Sequence, residues 1–136
     1  MKNIDLNIEQ RKAVESTEGP LLIIAGAGSG KTRVLVERTL NLLVNKKVAP
    51  EKILISTFTD RASKELIGRI TKRLDEHNEK INIGNIYIGT LHSIFLRLID
   101  EYIEFSNFKE GYRVLEDMDQ DFFIYSKLKY FMKQMI

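Results

Sequence analysis

An apolar burst, Leu21-Leu22-Ile23-Ile24, runs straight into Ala25-Gly26-Ala27-Gly28-Ser29-Gly30-Lys31-Thr32 and then into a helical period. No other stretch restricts the fold as strongly. Glycines admit positive φ and let backbone amides approach a ligand without a Cβ in the way. Inward-pointing amides and the free N–H groups of a helix start together make a concave site for anionic oxygens. Lys31 would add a mobile ammonium for the β- and γ-phosphates, and the Thr32 hydroxyl a ligand for Mg²⁺. The general pattern G-x-x-x-x-G-K-[ST] meets Ala25 at its first position, a methyl at the strand end before the loop curls. A flexible glycine turn with an exposed lysine is the plain alternative. The strand before the loop and the helix after it favour phosphate binding.

The chain has 136 residues, 43% of them hydrophobic, with a formal net charge of +2. That suits one domain with a core and excludes a chain that stays disordered. The absence of cysteine removes disulfide frameworks, cysteine–zinc sites and thiol nucleophiles together. A near-neutral charge is compatible with nucleic-acid binding without arguing for it. The longest apolar run, Leu21 to Ala27, is far short of the roughly 20 residues of a membrane span. The charged N-terminus also lacks the apolar block of a signal peptide. The expectation is a soluble cytoplasmic protein with no membrane partner.

Strands are expected at Leu21–Ile24, at Ile53–Thr57 after Pro50, and at Ile86–Ile88 between Gly84 and Gly89. Helices are expected over residues 7 to 17, with Asn7 as N-cap, and over 30 to 45, apolar nearly all round. Two more follow on the stripes Ala62, Leu66, Ile70, Leu74 and Leu91, Ile94, Phe95, Leu98, Ile99, Tyr102. A final helix runs from about Asp119 to Gln134, with Leu128, Phe131, Met132 and Met135 on one side. Glu76 to Lys80 reads as a solvated loop. Strands alternating with helices imply an α/β fold, a parallel sheet flanked by helices. The segment from Asn107 to Asp121 reads as a junction, so the expected division is 1–115 for the α/β domain and 116–136 for the start of a helical unit.

The surroundings of the loop narrow the choice. Leu6-Asn7-Ile8-Glu9-Gln10-Arg11-Lys12-Ala13-Val14, followed by A-G-A-G-S-G-K-T-R ending at Arg33, resembles superfamily 1 DNA helicases of the UvrD/Rep/PcrA type. So does Ile53-Leu54-Ile55-Ser56-Thr57-Phe58-Thr59-Asp60-Arg61-Ala62, where that family shows T-F-T-N-K-A-A. Gly89-Thr90-Leu91-His92-Ser93 is similar to its G-T-F-H-S. These motifs, in order, cover most of residues 6 to 98.

The resemblance implies a P-loop NTPase (RecA-like) domain, incomplete here, with the start of a helical insertion at the C-terminus. It implies ATP and Mg²⁺ as cofactors, single-stranded DNA and the remaining helicase domains as partners, and a part in processes such as DNA repair. Residues 25 to 32 match the nucleotide loop, with Lys31 and Thr32 as the residues of chemistry and Thr32 on the metal.

Gln10 matches the glutamine that reads the adenine edge, although Asn7 to Gln10 also reads as a capping box. Arg33 matches an arginine near the nucleotide, against the plain reading of a solvated cation. Arg69 matches one whose guanidinium lies against adenine, against a surface arginine. Phe58 matches an aromatic that contacts a base of DNA, where stacking is sequence-tolerant; a core phenylalanine is the competitor. Thr90 and His92 match another DNA-contacting motif, against an N-cap and an inert first-turn residue.

Turnover in this family needs an Asp-Glu pair at the end of a further apolar strand. Val114-Leu115-Glu116-Asp117 has the order inverted and a short apolar lead-in. The resemblance therefore implies an N-terminal, nucleotide-binding part of an ATP-dependent 3′-to-5′ helicase that is itself inactive in hydrolysis, since phosphoryl transfer needs several positioned groups. The rival readings are a non-catalytic module binding nucleotide or DNA, and a P-loop enzyme of another class such as a small-molecule kinase.

Overall fold

The computed structural model describes residues 5–108, 111–115 and 117–134, without the side chains of 117, 131, 133 and 134. The chain divides into two compact units, Met1–Leu98 and Ile99–Ile136. The division falls inside a helix.

In the first unit, helix α1 (Ile8–Glu15) starts at Asn7, whose side chain accepts from Gln10 N, and packs on α2 (Lys31–Leu40). Strands β1 (Leu54–Thr57) and β2 (Tyr87–Thr90) pair in parallel, with Leu54 opposite Tyr87 and Thr57 opposite Thr90. Between them runs α3 (Asp60–Glu76), capped by Thr59 Oγ1, which accepts from Ala62 N at 3.2 Å. It ends where Asn78 turns into the left-handed region, a common helix stop. The amphipathic α3 lays Leu66, Ile70 and Leu74 on both strands and on α2. Val36, Leu40, Leu43, Ile53, Ile55 and Ile86 complete the core. Leu40 and Ile70 are fully buried, each contributing about 1.5–3 kcal/mol of apolar transfer.

Two expectations need correction. Leu21–Ile24 is not a strand: among the described residues no strand pairs with it, and Leu22 and Ile24 are 84% and 91% exposed. Apolar β-formers become a strand only by exchanging backbone hydrogen bonds with a neighbour, and among the described residues Leu21–Ile24 has no such neighbour. The helix expected over 30–45 is not α-helical throughout. It stays α-helical to Leu40 and then widens into one π-turn, Asn41–Asn45. There Asn41 Nδ2 reaches back to Val14 O at 3.1 Å while Asn41 Oδ1 accepts from Asn45 Nδ2 at 2.8 Å.

Helix α4 (Leu91–Glu101) buries Ile94, whereas Leu91 and Phe95 of its apolar stripe are exposed. In the second unit Tyr112 Oη donates to Asp100 Oδ1 at 2.8 Å, and its ring lies 5.5 Å from that of Phe108. Helix α5 (Asp117–Gln134) follows, with Gln120 Nε2 donating to Leu115 O at 2.8 Å. Of the stripe expected there, Leu128 and Met132 are exposed; the Phe131 side chain and Met135 lie outside the described residues. No helix among the described residues is long and apolar enough to cross a membrane.

Candidate functional site

The glycine-rich loop closes on itself. Ser29 N and Oγ both donate to Gly26 O, at 3.4 and 2.8 Å, and Gly28 and Gly30 adopt φ of +75° and +87°. Gly30 is the N-cap of α2, and its carbonyl accepts from Val34 N at 2.9 Å. Lys31 Nζ turns back into the loop and donates to Gly26 O at 2.7 Å and Ala25 O at 3.2 Å. An ammonium held only by carbonyl dipoles can be recruited by an anion, because charge-assisted hydrogen bonds are the stronger kind.

Gln10 arrives from α1. Its Nε2 donates to Ser29 O at 3.0 Å, so Gln10, Ala25, Ser29 and Lys31 line one cavity of about 420 Å³. The capping box read from Asn7 to Gln10 is also present. Gly26, Ala27 and Gly28 are exposed along the loop, and Thr32 and Arg33 are exposed on the first turn of α2. Arg33 and Arg69 share a separate hollow of about 380 Å³ with Lys72, Arg73, Glu37 and Glu76. Arg69 is exposed and paired with Glu65 at 2.6 Å. The two residues matched to adenine, Gln10 and Arg69, thus line different hollows.

The parallel register brings a second group together across 33 positions. Thr57 stands opposite Thr90, so Phe58 and the Thr90–Ser93 turn leave the same, carboxyl end of the sheet, where open α/β sheets take ligands. Phe58 is 98% exposed, which removes the core-phenylalanine alternative. Thr90 Oγ1 accepts from Ser93 N at 3.3 Å, as an N-cap does, and His92 is exposed. A Cβ on Gly89 would fall 2.3 Å from Ser93 Oγ, so glycine is needed for the hydroxyl to reach Thr90 O at 2.9 Å.

For a magnesium ion, the described residues hold no cluster of three His, Asp or Glu side chains. The exposed Thr32 hydroxyl fits only as one ligand beside substrate oxygens, the way Mg²⁺ is usually held. Glu116 lies outside the described residues, as does the side chain of Asp117.

Several polar contacts were not foreseen from the residues alone. Arg38 Nη1 donates to Ala13 O at 2.6 Å and also to Ser16 O, closing the C-terminal end of α1. Arg73 forks onto the buried Glu37. Arg97 lies 4.4 Å from the centre of the Tyr87 ring and donates to Ile86 O. Each joins residues too far apart in sequence for a local pattern to reveal.

Residues 6–135 match the UvrD/REP helicase N-terminal domain. A probable DNA helicase II homolog of Rickettsia conorii is 45% identical over 102 residues, 75% of this chain and 14% of the relative. The ATP-dependent DNA helicase PcrA of Staphylococcus aureus is 39% identical over 124 residues, covering 91% of this chain and 16% of the relative. The PcrA of Staphylococcus epidermidis is 39% identical over 125 residues, again 16% of its length. The chain therefore spans a small part of the relatives it resembles. With nearly its whole length matched, it belongs to the UvrD/REP helicase N-terminal domain family.

Proposed function

We propose that this chain is the ATP-binding part of a cytoplasmic ATP-dependent 3′-to-5′ DNA helicase, with a P-loop NTPase (RecA-like) fold, that tracks on single-stranded DNA. Residues 1–115 form part of that domain and 116–136 begin a helical insertion. Catalysis needs the remaining helicase domains. The observation that carries the reading is the Gln10 Nε2 to Ser29 O bond: it brings an amide able to read a base edge against a loop built for phosphates.

On nucleotide binding, Lys31 leaves the carbonyls of Ala25 and Gly26 for the β- and γ-phosphates, and loop amides from Gly26 to Gly30 cradle the oxygens. Thr32 would hold Mg²⁺, which would supply charge neutralisation to the phosphate oxygens. Gln10 reads the adenine edge. Arg33 and Arg69 serve the nucleotide from their own hollow, a role that requires Arg69 to leave Glu65. Phe58 stacks on a base while Thr90 and His92 hold the DNA backbone at the start of α4.

Titration with fluorescent ATP and with a labelled oligonucleotide tests this. Lys31→Ala should abolish nucleotide binding alone, and Phe58→Ala should weaken DNA binding alone. Steady-state hydrolysis by the 136-residue chain should be negligible with or without DNA; turnover at helicase rates would overturn the assignment of catalysis to a larger assembly. Failure to bind either ligand would overturn the reading as a whole.

A further inference from the structure

Asn7, Gln10 and Ser29 form a hydrogen-bonded circuit around the Gln10 amide. Gln10 N donates to Asn7 Oδ1 at 2.8 Å, Asn7 N donates to Gln10 Oε1 at 3.1 Å, and Gln10 Nε2 donates to Ser29 O at 3.0 Å. The second bond sets the amide's orientation, because Oε1 is the atom that accepts. The NH₂ group is left to face the loop. Gly30 belongs to the same arrangement: a Cβ there would lie 2.8 Å from Gln10 Nε2.

An adenine edge presents one donor, N6–H, beside one acceptor, N7. The Asn7 N–H and the Ser29 carbonyl offer Gln10 the same pair. We propose that the chain ligates its own base-reading amide with this adenine-like pair, and that Asn7 is a positioning residue whose backbone N–H must be exchanged for the base. The inference rests on the adenine role proposed above for Gln10. Adenine replaces two hydrogen bonds by two, a nearly balanced exchange. Guanine presents O6 and N7, both acceptors, and offers Gln10 Oε1 no donor in place of the Asn7 N–H. Inorganic triphosphate has no base edge and leaves the circuit closed.

Hydrogen exchange followed by NMR on the 136-residue chain tests the exchange directly. Saturating ATP should speed exchange of the Asn7 amide about fivefold, the loss of one ordinary hydrogen bond, while inorganic triphosphate leaves it unchanged. Two variants isolate the N–H. Asn7→Ala removes the capping side chain and keeps the N–H; Asn7→Pro removes both, at a φ of −67° that proline adopts. From the first to the second, the ratio of ATP to triphosphate affinity should rise about fivefold, with triphosphate affinity itself unmoved. An Asn7 amide that stays protected under bound ATP, or an unmoved ratio, overturns the inference alone. If neither ATP nor triphosphate binds, the nucleotide reading of the loop fails and takes this one with it.

Discussion

Arg73 grips Glu37 through two parallel hydrogen bonds, Nε to Oε1 at 2.9 Å and Nη2 to Oε2 at 3.3 Å, across 36 positions of chain. The pair joins α2, which begins at Lys31, to α3, which begins two residues after Phe58. Both side chains are largely withdrawn from water, at 14% and 6% exposure, and Glu76 adds a second carboxylate to the guanidinium. These acceptors, Glu37 foremost, hold the Arg73 pKa above its ordinary value against the opposing effect of burial.

Removing one partner should therefore cost more than removing both. Arg73→Met strands a buried carboxylate and should destabilise the chain by about 3–5 kcal/mol, whereas the double variant Glu37→Met/Arg73→Met should recover most of that loss. Urea unfolding of the three proteins checks it. A double variant that loses as much as Arg73→Met, or more, would overturn that expectation.

Phe58 offers a cleaner separation of stability from binding. With its side chain 98% exposed, Phe58→Ala should move folding stability by no more than about 0.5 kcal/mol. The same change should weaken oligonucleotide binding by about 1–3 kcal/mol, the usual worth of one base stack. Thermal melts and fluorescence anisotropy read the two quantities on one preparation.

Gly30 is constrained twice, by a φ of +87° and by Gln10 Nε2 at 2.8 Å from the place of a Cβ. Gly30→Ala should cost about 1–2 kcal/mol from the left-handed backbone alone. Nucleotide affinity should fall as well, since Gln10 must move away from the loop. Calorimetric titration with ATP, beside a denaturation curve, measures both.

Tyr112 carries a pH-dependent contact of the second unit. Its bond to Asp100, helped by desolvation and by the carboxylate charge, raises the phenol above its ordinary value near 10. The contribution to stability is complete below that ordinary value and is lost as pH rises through the folded one. Tyrosinate absorbance should show one late-titrating phenol that disappears in Tyr112→Phe and returns to the ordinary range in Asp100→Ala.

How far the residues alone carried the fold depends on how local each feature is. The loop, the capping box, the two strands that pair and the α3 stripe rest on neighbours within a turn or two, and all were readable. Leu21–Ile24 has the composition of a strand, but strand formation depends on a partner that composition does not specify. Glu37, Arg38, Asn41 and Arg73 escaped notice because charge and amide count as surface in any periodicity argument, whereas here they bond to residues tens of positions away. The juxtaposition of Phe58 with Thr90 likewise needed the strand register, which a reading of motifs in order does not contain.

The open setting of Leu21–Ile24 bears on how hard the neighbouring loop is to use. Its two most solvent-facing side chains have little packing behind them, so the approach to Ala25 is fixed mainly from the α2 side. A ligand must then supply order as well as contacts, and each backbone residue immobilised costs about 1–2 kcal/mol. On the function proposed above, anything that laid a strand beside these residues would sharpen the grip on a triphosphate from a distance, without touching it.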